Sequence, residues 1–130
     1  MQLTILGSGS ATPILGRHQS AFLVGIRQKL LLIDCGEGTQ YRCLDLGVKF
    51  NQIEYIFISH LHGDHYLGLV GLLSTLHSWG RKKPLTLFAP PGMKEILSIH
   101  FKYQQTHLEF EIQLIETDGS TFQALIDTPD

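Results

Sequence analysis

One short segment constrains this chain more than any other. The apolar run Tyr55-Ile56-Phe57-Ile58 has strand character, and close behind it comes His60-Leu61-His62-Gly63-Asp64-His65. A strand that delivers three imidazoles and a carboxylate into a glycine-containing loop has the makings of a hydrolytic metal site. Both side-chain types are ligands that suit zinc and similar divalent ions. His60 and His62 are two apart, so on an extended backbone they point to the same side and can meet one ion. Gly63 lets the chain turn sharply, which brings Asp64 and His65 toward a second ion beside the first. A two-metal hydrolase needs this arrangement. No comparable ligand cluster follows His65, so the site is expected to be incomplete in this chain. His18, His77, His100 and His107 stand alone and read as surface or internally satisfied histidines.

The flanking pattern predicts an α/β layered fold, because strand and helix signals alternate. Strands are expected over 2–6, 21–26, 29–34, 54–59, 85–89, 109–116 and 121–126. A helix is expected over about 40–46, with Thr39 as N-cap and Gly47 as its stop. From His65 onward Leu69, Leu72, Leu73 and Leu76 recur at helical spacing, which predicts one helix over 65–79 packed by those leucines. Its N-terminus would lie beside the cluster and favour an anionic phosphate there, with Asp64 balancing the charge of the metals. Pro90-Pro91-Gly92 opens a further helix over about 91–103.

Composition narrows the classes. A net charge of −2 gives no global basic field for nucleic acid, so any RNA contact has to be local. The two cysteines, Cys35 and Cys43, have neither the spacing of a zinc knuckle nor the number for a disulfide framework. They read as free thiols in a reducing cytoplasm. The N-terminus shows no signal peptide, and no stretch is long and apolar enough to be a membrane span.

The string His60-x-His62-x-Asp64-His65 resembles the signature of the metallo-β-lactamase superfamily. Leu32-Ile33-Asp34-Cys35-Gly36-Glu37-Gly38-Thr39-Gln40 and the stretch from Ser59 to Leu73 are similar to two long motifs of the ribonuclease Z family within it. Thr4 to Pro13 and Leu87 to Gly92 match that family's first strand and a later strand-to-helix turn. The resemblance implies a four-layer αββα sandwich, of which residues 1–130 form about the N-terminal half as a single, truncated domain. It implies two Zn2+ ions per complete site, with Mn2+ or other divalent ions able to substitute. His60 and His62 would hold one ion, and Asp64 and His65 the other. Asp64 would also be the general base or proton shuttle, and Asp34 would orient the ligands. Glu37 and Gln40 are weaker candidates, equally placed to cap the following helix. Arg17 would face a substrate phosphate, although the loop Ile14-Leu15-Gly16-Arg17-His18 departs from the family pattern.

The implied activity is removal of the 3′ trailer from precursor tRNA, leaving a 3′-hydroxyl, by a cytoplasmic homodimer with no membrane attachment. The family's later metal ligands and its tRNA-gripping arm have no counterpart here, so this chain alone is expected to cleave poorly. Two alternatives stay open. One is another hydrolase of the same fold, acting on phosphodiesters or aryl sulfates. The other is a non-catalytic N-terminal fragment that binds metal weakly or holds a dimer.

Overall fold

The computed structural model describes residues 1–120 and Ile126. Six strands, β1 (Gln2–Gly7), β2 (Ala21–Ile26), β3 (Lys29–Ile33), β4 (Ile53–Phe57), β5 (Leu85–Ala89) and β6 (Ile112–Glu116), form one sheet in sequence order. The first three run antiparallel to their neighbours, and β3 to β6 run parallel. Parallel neighbours need crossovers. These are supplied by α1 (Thr39–Asp45), by α2 (Gly63–Tyr66) with α3 (Leu69–Ser78), and by α4 (Met93–Gln104). The strand expected over 121–126 lies, apart from Ile126, outside the described residues.

The two faces of the sheet differ. Registered partners Leu23, Leu32, Ile56, Leu87 and Leu114 make a row on the helical side. There they join Cys43 of α1, Leu69, Leu72, Leu73 and Leu76 of α3, and Met93 and Leu97 of α4 in one buried cluster. Each fully buried leucine contributes about 1.5–3 kcal/mol of burial free energy. On the other face the register sets Ile5, Phe22, Ile33, Phe57, Phe88 and Ile115 in a second apolar row across all six strands. No helix covers this face among the described residues. Ile5 and Ile115 at its edges are exposed, and Ile126 lines one cavity with Leu31, Ile33, Phe57 and Phe88. A mixed sheet with helices on one side and an apolar row on the other fits a layered sandwich.

Local signals place most helix ends. Gly47 adopts φ 66°. The amide of Gly47 donates to the Leu44 carbonyl and that of Val48 to the Cys43 carbonyl, the paired bonds that close a helix at a left-handed glycine. The N-cap of α1 is Gly38 rather than Thr39, whose hydroxyl instead donates to the Gly36 carbonyl at 2.7 Å. The helix expected over 65–79 is broken into α2 and α3 at Leu67-Gly68. The cause is tertiary. The Gly68 amide donates to the Cys35 carbonyl at 2.9 Å, and a Cβ on Gly68 would stand 2.0 Å from the Gly36 oxygen. The strand expected over 109–116 begins only at Ile112, because Phe110 is buried beneath the Arg81 guanidinium. The strand expected over 54–59 stops at Phe57, since the Ser59 amide turns to the Asp34 carboxylate.

Candidate metal centre

The candidate residues lie beyond the C-terminal ends of β3 and β4, where open α/β sheets generally place their ligand sites. The Asp34 amide extends the ladder by donating to the Phe57 carbonyl at 2.7 Å. The next residues turn away: the amides of Cys35 and Gly36 donate to the carbonyls of His65 and Ser20. The exit of β3 is thereby tied to the histidine loop.

Asp34 organises the site. It is buried and sits at φ 60°, in the left-handed region that a residue with a Cβ enters only under strain. Its Oδ1 accepts from the Ser59 amide at 2.8 Å. Its Oδ2 accepts from His65 Nδ1 at 2.7 Å, from the Ser59 hydroxyl at 3.0 Å and from the Ser20 hydroxyl at 3.4 Å. Ser59 Oγ also lies 3.0 Å from His60 Nδ1. The orienting role expected of Asp34 thus has a geometric basis, and so does the backbone-capping role. Ser59 and Ser20 were not singled out from the sequence. The available signal was a hydroxyl immediately before a candidate ligand, which means little until Asp34 is brought up from 25 residues away.

The three imidazoles gather together. The rings of His60 and His62 are 4.7 Å apart, and those of His60 and His65 are 4.0 Å apart. His60 and His62 are exposed, whereas Asp64 and His65 are half-buried. His62 caps α2, whose single turn carries Asp64 and His65. So short a helix has little dipole, and the phosphate-attracting terminus expected from a long helix at His65 is not formed. Gln40 packs inward, accepting from the Thr75 hydroxyl at 3.2 Å, and so joins α1 to α3. Exposed Glu37 uses its amide to donate to Gln19 Oε1. Arg17 is exposed on the loop between β1 and β2, and no geometry links it to the histidines. His77 accepts from the Glu109 amide and His100 pairs with Gln104, as their isolation in the sequence suggested.

The donor set suits a divalent cation. His65 stands between two carboxylates, its Nδ1 2.7 Å from Asp34 Oδ2 and its Nε2 3.4 Å from Asp64 Oδ2. An imidazole nitrogen and a carboxylate oxygen brought side by side are donor types that divalent ions such as zinc take. Even so, among the described residues no three or more His, Cys, Asp or Glu side chains converge tightly enough to hold a metal ion. The cysteines do not help. Burial pushes the Cys35 thiol far up and the Cys43 thiol up to about 11, so both stay protonated in the core.

Comparison with known families places the whole assembly. The model of the family described as Anti-Pycsar protein Apyc1 matches residues 1–121. The chain belongs to that family. Its sequence is also 47% identical over 128 residues to a ribonuclease Z of Cytophaga hutchinsonii, covering 98% of this chain and 41% of that protein. The crystal structure of human tRNase Z, short form, superposes with a TM-score of 0.84 at 37% identity, covering 89% of this chain and 45% of that one. The metallo-β-lactamase fold protein YhfI from Bacillus subtilis, at 18% identity and a TM-score of 0.70, covers 95% of this chain and 48% of its own, and supports the fold alone. This member of the family is therefore a metallo-β-lactamase-fold homologue of ribonuclease Z. It spans about two fifths of the length of the curated relatives it matches. Among its described residues no helix is long and apolar enough to cross a membrane.

Proposed function

We propose that this chain carries the metal-binding loop of a zinc-dependent endoribonuclease that removes the 3′ trailer from precursor tRNA and leaves a 3′-hydroxyl. The observation that carries the reading is the likeness to ribonuclease Z across nearly the whole chain, a span that includes the histidine loop and Asp34 just after β3. In this reading His60 and His62 would hold one divalent ion, and Asp64 and His65 a second. When bound, such ions supply Lewis-acid polarisation of the phosphoryl group and make water more acidic. Asp34 anchors His65 directly and Ser59 through its amide and hydroxyl. Asp64, half-buried with Oδ2 3.4 Å from His65 Nε2, is the residue placed to accept or return a proton. Precursor tRNA is the proposed partner, while homodimerisation and a cytoplasmic location rest on the resemblance alone.

Four donors divided between two ions leave each short of the roughly three protein ligands usual for a catalytic zinc. Residues 1–130 by themselves are accordingly expected to hold zinc weakly and to cleave poorly. The test is cleavage of precursor tRNA with added zinc or manganese, by this chain and by one of its relatives' length. The longer protein should release a tRNA ending in a 3′-hydroxyl, and Asp64→Ala should lower that rate by about 10²–10⁴-fold. Cleavage unaffected by Asp64→Ala would remove Asp64 from the chemistry. A second reading, another phosphodiesterase on the same fold, is favoured by one observation: the matched family model has a description other than ribonuclease Z. Turnover of a small synthetic phosphodiester, with precursor tRNA left intact, would decide for it.

A further inference from the structure

We propose that Ser59 is a positioning residue that fixes the tautomer of His60, so that His60 and His65 both present a free Nε2 lone pair from a single anchor, Asp34. The argument follows the direction of a hydrogen-bonded chain. An ionised carboxylate can only accept. Ser59 has one hydroxyl proton, and its Oγ lies 3.0 Å from Asp34 Oδ2 and 3.0 Å from His60 Nδ1. The bond to the carboxylate is charge-assisted and therefore the stronger, so it takes the proton. Toward His60, Oγ can then only accept, and His60 must carry its proton on Nδ1. The same rule puts the proton of His65 on Nδ1, 2.7 Å from the same Asp34 oxygen. The Ser59 amide, donating to Asp34 Oδ1 at 2.8 Å, fixes the backbone from which the hydroxyl projects.

This chain has no role in satisfying a buried group at its outer end. Ser59 and His60 are both exposed, and water would satisfy the ring equally well. What the hydroxyl adds is a choice of nitrogen. An imidazole protonated on the outward nitrogen offers an N–H, not a lone pair, and the group on the other nitrogen sets which form is present. One carboxylate thus sets two rings, His65 directly and His60 through a serine.

The consequence for metal binding rests on the reading of His60 as a metal donor, whereas the tautomer does not. The experiment separates the two. Long-range proton–nitrogen NMR of the metal-free 130-residue chain, at mildly alkaline pH where imidazole is neutral, reads the proton position on each ring. In the parent protein His60 should be the Nδ1–H form. Ser59→Ala should shift His60 toward a mixture of forms while leaving His65 unchanged, and Ser59→Thr, which keeps the hydroxyl, should restore the parent spectrum. Parent His60 found with its proton on Nε2 would overturn the proposal whether or not Ser59→Ala folds, as would a His60 spectrum unmoved by Ser59→Ala. A zinc titration of the same proteins then tests the consequence. Ser59→Ala should weaken binding by about 10–100-fold, and Ser59→Thr should not. Should His60→Ala bind zinc as the parent does, the metal reading fails and the tautomer result stands.

Discussion

The two ends of the sheet are built from the same strands to opposite purposes. At the N-terminal ends of β3, β4 and β5, charges are matched. Glu54 lies 3.0 Å from Lys29 and 3.3 Å from Lys83, Lys82 pairs with Glu109, and buried Arg81 donates to the carbonyls of Lys83 and Pro84. At the C-terminal ends the balance tips. A buried carboxylate at φ 60° collects hydrogen-bond donors from Ser59, Ser20 and His65, and the exposed rings of His60 and His62 gather beside it. Among the described residues the first end is held by ion pairs and carbonyl contacts, with only Arg81 Nη1 buried without a hydrogen-bond partner, whereas the second is held around one carboxylate, Asp34. Positive φ does not separate the ends, since Arg27 and Gln105 share it away from the histidines; what marks the second end is a buried carboxylate that gathers hydroxyl, amide and imidazole groups.

Three substitutions test this contrast, in order of expected effect. Leu73 lies on α3 between the two ends and is fully buried, so Leu73→Ala should cost about 2–5 kcal/mol in a denaturant melt. A change within experimental error would mean that the helical layer is not the shared support of both ends. At the site end, Asp34→Asn keeps the shape but replaces a double acceptor by an amide, and should weaken zinc binding by about 10–100-fold in a competition titration. Unchanged affinity would show that the carboxylate does not position the ligands. At the matched end, Glu54→Gln should cost less than about 1 kcal/mol and leave zinc affinity alone. Burial tends to raise the Glu54 carboxyl, but hydrogen bonds from Lys29 and Lys83 outweigh it and hold the group below its ordinary value. Its contribution is therefore present above the unfolded carboxyl's range and is lost as pH falls through the lower folded value. Parent and Glu54→Gln melts should converge in acid and separate toward neutral pH, and a gap that widened in acid would reverse the assignment.

The sheet was largely legible because its signals are local. The hairpin of β2 and β3, the strand β5 and the stop at Gly47 follow from short patterns, and each lies where its residues placed it. The candidate ligands were legible for the same reason, since His60 to His65 are adjacent in the chain. What could not be read depends on partners far away in sequence. The break between α2 and α3 comes from Gly68 meeting the Cys35–Gly36 backbone, and the helical spacing of Leu69, Leu72, Leu73 and Leu76 just beyond it concealed it. Ser59 gains a role only when Asp34 arrives beside it. Thr39, a good N-cap by type, is drawn one position into the helix, where its hydroxyl meets the Gly36 carbonyl.

The meeting of Gly36 and Gly68 limits how this region can change over evolutionary time. A Cβ on Gly68 would stand 2.0 Å from the Gly36 oxygen, and one on Gly36 would stand 2.6 Å from the Asp64 oxygen and from Gln19 Cβ. In most packed pairs a larger residue on one side can be offset by a smaller one on the other. Here the obstacles to Gly68 and part of those to Gly36 are main-chain atoms, which no substitution removes, so compensation by a second mutation is closed off. The two glycines therefore behave as one fixed character: sequence drift can rework the surfaces around the histidine loop, but the seam that joins it to the exit of β3 has no neighbouring solution to drift into.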